Sequence, residues 1–205
     1  MGILNKFELE RLMRLEDFDD RLLVTPLLSE SQIGPASIDI RLGSSIIIPR
    51  KPYVEKQDVT EPKSIRQVER RLYEHAKLQY HSKFVLHPNQ LILAVTFEYV
   101  MLPWNVAAMI MSRSSWGRLG LIVATAAAVQ PSYKGSLTLE LVNVSESPIA
   151  LYPGLPIGQL VFYDVPSKGS KARYAGRYDC PTDAELPKFY NGDRDRELEF
   201  WGTRG

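Results

Sequence analysis

The sequence contains a single cysteine, Cys180, so no disulfide can form within one chain, and this favours a reducing compartment. No apolar run approaches the length needed to span a membrane. The N-terminal stretch carries charges throughout and lacks the apolar region of a signal peptide. We therefore expect a soluble, cytoplasmic protein that has no membrane partner.

An excess of charge of one sign is also missing. The chain has 25 Lys and Arg against 24 Asp and Glu, which gives a formal net charge of +1. Because proteins that bind polymeric nucleic acid usually carry a basic stripe, this balance argues against such a partner. A compact anionic substrate needs only a few placed cations and remains compatible with it. The 205 residues suffice for one domain with a sizeable core.

Apolar periodicity predicts a mainly β protein with a few short helices. Residues 5–18 have helical spacing, and residues 62–78, which open with proline and carry many charges, are interpreted as a second surface helix. In residues 33–48, apolar and polar side chains alternate as in a half-buried strand. Further strands are predicted at 83–86, 90–97, 99–102, 106–111, 137–143 and 157–163, a spacing typical of a barrel or sandwich. The tail from residue 167 is expected to be an extended arm.

Residues 112–120, with the sequence SRSSWGRLG, follow an apolar strand. Small hydroxyl residues where a strand gives way to a helix leave backbone N–H groups available to a phosphate, and Arg113 adds a fixed cation. If a helix begins at Ser114, Arg118 lies one turn later on the same face. The alternative on this pattern alone is a serine-capped surface helix with a solvated arginine.

Residues 131–143 place Glu140 on a predicted strand. Leu137, Leu139 and Leu141 share one face, so Glu140 lies on the opposite face. A lone glutamate on a strand is usually solvated, but glutamate is also a poor strand former, which makes the position unusual. Residues 151–162 form a turn that leads into a strand, and by themselves they indicate a structural role and not a functional one.

Taken together, SRSSWGRLGL (112–121), PSYKGSLTLELVN (131–143) and LYPGLPIGQLVF (151–162) closely resemble the dCTP deaminase branch of the dCTP deaminase/dUTPase family. GPASIDIRLG (34–43) resembles its N-terminal motif, and YAGRY (174–178) resembles its C-terminal arm. The resemblance implies one domain over residues 1–205, a distorted dUTPase-like β-barrel, and a homotrimer with active sites between subunits. It further implies that dCTP, bound with Mg²⁺, is deaminated to dUTP and ammonia without zinc, which supplies dUTP for thymidylate synthesis. dTTP is a candidate inhibitor.

The resemblance also implies roles for individual residues. Glu140 matches the glutamate that activates the attacking water, and Ser114 and Arg118 match the residues that hold this water and the base. Arg113 and Ser115 match positions that bind the triphosphate. Further substrate-binding positions are matched by Ala126, Gln159, Tyr174, Arg177 and Tyr178. No side chain is implied as a metal ligand, since the magnesium is held mainly by the triphosphate.

A reaction without zinc agrees with the rest of the sequence. Zinc deaminases carry H-x-E and P-C-x-x-C motifs, and this sequence has neither. Its histidines, His75, His81 and His87, have no thiolates or H-E-x-x-H pattern beside them. A carboxylate can instead take a proton from water that attacks C4 of cytosine and pass it towards the leaving amine.

Several positions depart from the family pattern, Ala127 among them, and keep rival functions open. Gln130 stands where aspartate is common, Ser132 replaces a glycine, Ala128 replaces a bulkier residue and Pro181 replaces a frequent glutamine. A dUTP diphosphatase, or a bifunctional deaminase-diphosphatase, would use an aspartate at about position 130. Because this chain has Gln130 there, both functions rank below dCTP deamination alone. A non-catalytic, nucleotide-binding regulatory trimer is the further alternative, against which the intact Ser114, Arg118 and Glu140 argue.

Overall fold

The computed structural model describes residues 2–50, 72–124, 128–166, 176, 178 and 180–188. Strands dominate, as predicted, and are accompanied by helix α1 (Lys6–Met13), the short helix α2 (Ser114–Arg118) and a 3-10 turn (Glu30–Gln32). The strands are β1 (Leu23–Thr25), β2 (Ile38–Pro49), β3 (Tyr73–Lys77), β4 (Phe84–Leu86), β5 (Leu91–Met101), β6 (Val106–Ser112), β7 (Leu121–Val123), β8 (Ala128–Val129), β9 (Lys134–Asn143), β10 (Ile149–Leu151) and β11 (Pro156–Asp164). No described helix has the length and apolar character needed to cross a membrane.

Nine of the strands form one antiparallel sheet. Its order is β7-β9-β5-β2-β11-β6-β8, with β1 added to β5 and β3 added to β2, while β10 and β4 form a separate ribbon. The sheet curls around a core of aliphatic side chains, to which α1 contributes Leu9 and Leu12. Within the described residues β7 and β8 remain the two ends of the sheet, so the predicted distorted barrel is present as a curled half-barrel.

Strand β2 connects the two halves of this sheet. Its first residues pair with β11, and from Leu42 onward it pairs with β5, with a register shift between Leu42 and Ile46. Ile38, Ile40 and Leu42 are fully buried, as the alternation predicted. Gly43 lies in the shift, where an added Cβ would come within 2.6 Å of Val95 Cγ1 and 2.8 Å of its carbonyl oxygen. The close approach of β5 therefore requires glycine there.

The N-terminal helix is shorter than predicted from residues 5–18. Asn5 caps it, because its Oδ1 accepts a hydrogen bond from the backbone N–H of Glu8 at 3.0 Å. The helix ends at Met13. A few residues later, Asp17 Oδ1 accepts a hydrogen bond from the backbone N–H of Asp19 at 2.8 Å, a local turn that competes with helix continuation.

Leu72, the first described residue of the second predicted helix (62–78), is helical, but the prediction is wrong for residues 73–77. Residues 62–71 lie outside the described residues, but Tyr73–Lys77 form strand β3, which pairs with Ser45–Pro49 at the edge of the sheet. Its outer position explains the mixed signal, since an edge strand tolerates charged side chains. Residues 90–97 and 99–102 were predicted as separate strands and instead form the continuous β5, with a bulge between Val95 and Tyr99 in its pairing with β9.

Candidate active site

The junction after β6 carries four of the predicted residues. Helix α2 begins at Ser114, which was one of the two arrangements considered from the sequence, and Arg118 lies one turn later. The N-cap residue is Arg113 rather than a serine, and its side chain makes no capping hydrogen bond. Ser114, Ser115 and Arg118 are all exposed. The serine-capped surface helix considered as the alternative is therefore wrong about the cap, and the three polar side chains are accessible to a ligand.

The short helix is held in place by Trp116. Its indole Nε1 donates a hydrogen bond to the carbonyl oxygen of Pro156 at 2.7 Å, at the start of β11. The half-buried ring packs against the core. These contacts fix a helix of five residues that is too short to be stable by itself.

Arg113 is oriented by an acidic residue that was not singled out from the sequence. Its Nη1 lies 2.9 Å from Asp39 Oδ2, on the first part of β2. The two side chains are 39% and 28% exposed, so the ion pair contributes little to stability. Its effect is geometric: one amino group of the guanidinium fork is occupied, and the remaining donors suit a bidentate anion such as a phosphate.

Gln159 lies beside this ion pair. It is the cross-strand neighbour of Asp39 on one side and of Met111 on the other. Ser37 Oγ donates a hydrogen bond to Gln159 Oε1 at 3.3 Å. Strands β2, β11 and β6 thus bring together what we name the Arg113 cluster, which consists of Asp39, Arg113, Ser114, Ser115, Arg118 and Gln159.

Glu140 lies elsewhere, in a cavity of about 450 Å³ that we name the Glu140 cavity. This volume is within the range of ligand pockets. Thr138 and Val142 flank Glu140 on the less buried face of β9, as the alternation predicted, and the Oε2 atom of Glu140 is itself buried. Most of the lining is apolar, contributed by Leu91, Leu93, Ile110, Val129, Leu137, Pro181 and Pro187. Apolar walls limit the number of water molecules that can compete with a bound base for hydrogen bonds to the carboxylate.

Polar groups enter the cavity from a turn between β8 and β9. Gln130 and Tyr133 both line it. The turn is held by hydrogen bonds from Tyr133 N–H to the Gln130 carbonyl at 3.2 Å and from Tyr133 Oη to the Ser136 carbonyl at 2.8 Å. Ser132, which replaces the usual glycine, has φ of 62° in the left-handed region. The serine therefore adopts a conformation that glycine accepts more readily.

The described part of the tail closes the cavity on another side. Residues 180–188 have no regular secondary structure and lie against β9, where Ser136 N–H donates to the Pro181 carbonyl at 2.7 Å. The backbone N–H of Glu185 donates to Thr138 Oγ1 at 3.0 Å. Tyr178, a predicted substrate-binding residue, lines the cavity, and its ring lies 5.0 Å from Lys188 Nζ.

One chain therefore divides the predicted residues between two places. Arg113, Ser114, Ser115, Arg118 and Gln159 belong to the Arg113 cluster. Glu140 and Tyr178 belong to the Glu140 cavity, whose described lining includes neither Ser114 nor Arg118. Ala126, Tyr174 and Arg177 lie outside the described residues.

Comparison with known proteins identifies the family of this curled β-sheet protein with an acidic side chain in a mainly apolar pocket. Residues 3–165 match the family model described as dCTP deaminase-like. A protein of Methanosphaera stadtmanae named "dCTP deaminase, dUMP-forming" is 35% identical over 75% of this chain and 76% of its own length. A Nanoarchaeum equitans protein of the same name is 35% identical over 86% of this chain and 91% of its own. A "dCTP deaminase" of Natronomonas pharaonis is 35% identical over 93% and 95%.

The chain belongs to the dCTP deaminase-like family, which confirms the resemblance found in its motifs and places it in a family of enzymes. Its fold is similar to that in the crystal structure of 2′-deoxycytidine 5′-triphosphate deaminase from Agrobacterium tumefaciens, with a TM-score of 0.59 and 24% identity. That match covers 78% of this chain and 48% of the other, so the present chain corresponds to about half of it.

Proposed function

We propose that this protein removes the C4 amino group of dCTP by hydrolysis. Family membership and the names of the relatives point to dCTP as substrate. The structural observation that carries the proposal is the position of Glu140 in the lining of a mainly apolar cavity of about 450 Å³. A carboxylate in a mainly apolar pocket suits proton transfer to and from a bound base.

The proposed step consumes one water and releases ammonia. Glu140 accepts a proton as the water oxygen bonds to C4, and a proton is then delivered to the ring nitrogen or to the departing amine as the C4–N bond breaks. Ser114 and Arg118 orient the attacking water, which lowers the entropy cost of reaching the transition state. All three residues must therefore meet at one base.

Because one chain separates Glu140 from Ser114 and Arg118, we propose that each site forms between two subunits of a homotrimer. Exposed apolar side chains near both ends of the sheet support association. Met109 and Met111 are exposed on β6, and Ile122 and Val144 are exposed at and just after the β7–β9 pair. Surfaces of this kind commonly mark subunit interfaces. Light scattering should give three times the mass of one chain, whereas an active monomer would refute the shared site.

The triphosphate is assigned to the Arg113 cluster. Arg113 and Ser115 bind phosphate oxygens, and Gln159 lies next to them for a further contact with the nucleotide. Ala126, through its backbone, and Tyr174, Arg177 and Tyr178 of the arm are proposed, by their match to the family motifs, to contact the nucleotide as well. A Mg²⁺ ion is proposed to be held mainly by the phosphates, where it neutralises charge. Activity should survive a zinc-selective chelator and fall when magnesium is withdrawn.

The relatives bear on where the reaction stops. From the sequence we expected dUTP as the released product, because Gln130 lacks a basic carboxylate. The M. stadtmanae and N. equitans proteins are named dUMP-forming. We therefore propose that this protein hydrolyses the intermediate dUTP further, to dUMP and pyrophosphate. Gln130, which lines the Glu140 cavity, would orient the second water, and the proton would pass to a carboxylate of the same cavity, Glu140 or Glu185.

One experiment tests both parts of the proposal. Purified protein is incubated with Mg²⁺ and dCTP, and separately with Mg²⁺ and dUTP, and the products are identified by chromatography. Ammonia, dUMP and pyrophosphate from dCTP support the full proposal. Ammonia and dUTP alone would support deamination and overturn the second hydrolysis. Release of dUMP from dUTP without any deamination of dCTP would instead identify a dUTP diphosphatase.

A further inference from the structure

A fully buried acidic residue, Glu98, takes no part in the proposed chemistry. It lies at the bulge of β5 and is 0% exposed. Its Oε2 accepts a hydrogen bond from the backbone N–H of Arg41 at 2.8 Å. Its Oε1 accepts from Arg41 Nη1 at 3.2 Å and from Gln32 Nε2 at 2.9 Å. All three partners are donors, so the carboxylate form satisfies them without a proton of its own.

Glu98 occupies a gap in the sheet. The ladder between β2 and β5 begins at Leu42, which pairs with Thr96, so residues 39–41 of β2 pair with β11 but not with β5. The carboxylate of Glu98 takes the place of a strand partner for the backbone N–H of Arg41. It thereby fixes β2 at the point where β2 leaves β5.

Gln32 extends this contact to Asp39. Its Nε2 donates both to Glu98 Oε1 at 2.9 Å and to the carbonyl oxygen of Asp39 at 2.8 Å, and the side chain is almost completely buried. Glu98 is therefore hydrogen bonded to β2 on both sides of Ile40. The contact is direct at residue 41 and passes through Gln32 at residue 39. Asp39 in turn holds Arg113 at 2.9 Å.

We propose that Glu98 is a positioning residue for the triphosphate end of the active site, which acts through Gln32, Arg41 and Asp39 to fix the orientation of Arg113. The inference rests on the proposed function, in which Arg113 binds the triphosphate. Burying an ion pair is costly, and apolar residues of similar volume often stabilise a fold as well or better. A role in orientation explains why this bulge holds a buried charge instead of an aliphatic side chain.

The kinetic test separates positioning from a general loss of structure. Glu98→Gln puts an amide donor against at least one of the three donors and should loosen β2 at Asp39. We expect KM for dCTP to rise roughly three- to ten-fold, the equivalent of about one hydrogen bond, with kcat nearly unchanged. In an Arg113→Ala background the same substitution should raise KM no further. An unchanged KM, or an equal additional rise without Arg113, would overturn the proposal.

A control with the same change of charge removes an exposed ion pair between β3 and the residue that follows β2. Glu74→Gln breaks the exposed pair in which Arg50 Nη2 lies 3.0 Å from Glu74 Oε2, at the far end of β2. It should leave both KM and kcat unchanged. If Glu98→Gln does not fold, Gln32→Met removes the link to Asp39 while keeping the Glu98–Arg41 pair, and the same rise in KM is expected.

A crystal structure of Glu98→Gln gives a readout that needs no activity. The distance between Arg113 Nη1 and Asp39 Oδ2 should lengthen or the side chain of Arg113 should become disordered. An Arg113 still held at 2.9 Å would refute the positioning role. A wild-type protein that does not turn over dCTP, together with a displaced Arg113 in the variant, would refute the proposed function and leave the positioning role supported.

Discussion

The proposed mechanism depends most on Glu140, and Glu140→Gln is its sharpest test. The substitution keeps the shape and hydrogen-bonding capacity of a half-buried side chain that lines the cavity, and it removes the basic carboxylate. General-base assistance is typically worth roughly 10²–10⁴-fold, and the same group must also return a proton towards the amine. We therefore expect at least a hundred-fold loss in the rate of deamination, or about 2.7 kcal/mol of transition-state stabilisation.

The assay is release of ammonia from dCTP under saturating conditions, together with the affinity for dCTP and the melting temperature. Folding should be normal and binding should change by only a few-fold, because the loss is confined to the transition state. Glu146→Gln is a suitable control, because this substitution removes the same charge from an exposed residue that lies three positions beyond the end of β9. A Glu140→Gln protein that deaminates dCTP at a near wild-type rate would show that another group activates the water.

Three further predictions follow from contacts already described. Arg113→Ala removes a charge-assisted contact of roughly 1.5–3 kcal/mol and should weaken dCTP binding about ten-fold or more in calorimetry, and an unchanged affinity would make Arg113 a solvated surface residue. Gly43→Ala forces a Cβ to within 2.6 Å of Val95 Cγ1 and should lower the free energy of unfolding by about 1–3 kcal/mol in urea titration; equal stability would show that β5 yields there. Burial raises the pKa of Glu98 above its ordinary value of 4.5, more than the hydrogen bonds and charge of Arg41 lower it. Folded protein then binds this proton more tightly than unfolded protein, so the stability of wild type relative to Glu98→Gln should increase as the pH falls from neutral towards 4.5. If the difference in unfolding free energy between wild type and Glu98→Gln does not change with pH, the pKa of Glu98 is not raised.

Local pattern was sufficient where a strand has one buried face. Alternation placed Ile38, Ile40 and Leu42 in the core, and it placed Glu140 opposite the leucines of β9. Pattern was insufficient for residues 73–77, because their charges indicated a surface helix and only pairing with β2 makes them a strand. Edge strands are stabilised by pairing with a strand that is distant in sequence. The apolar pattern within one segment does not reveal that partner.

The candidate site shows the same division. Arg113, Ser114 and Arg118 could be predicted as site residues because their motif is contiguous, and a helix does begin at Ser114, as that interpretation required. Asp39 was visible only as the polar member of an alternating strand, and its contact with Arg113 joins residues 74 positions apart. Glu98 looked like a strand break, although a charged residue inside the apolar run of β5 was a signal of a specific buried partner.

The division of polar side chains between the Arg113 cluster and the Glu140 cavity also has a genetic consequence. If each site takes Glu140 from one chain and Arg113, Ser114 and Arg118 from its neighbour, two impaired chains can complement each other. In trimers reassembled from equal amounts of Glu140→Gln and Arg113→Ala chains, random mixing would leave roughly a quarter of the sites with both contributions intact. Two impaired alleles in one cell would then sustain a larger pool of product than either sustains alone.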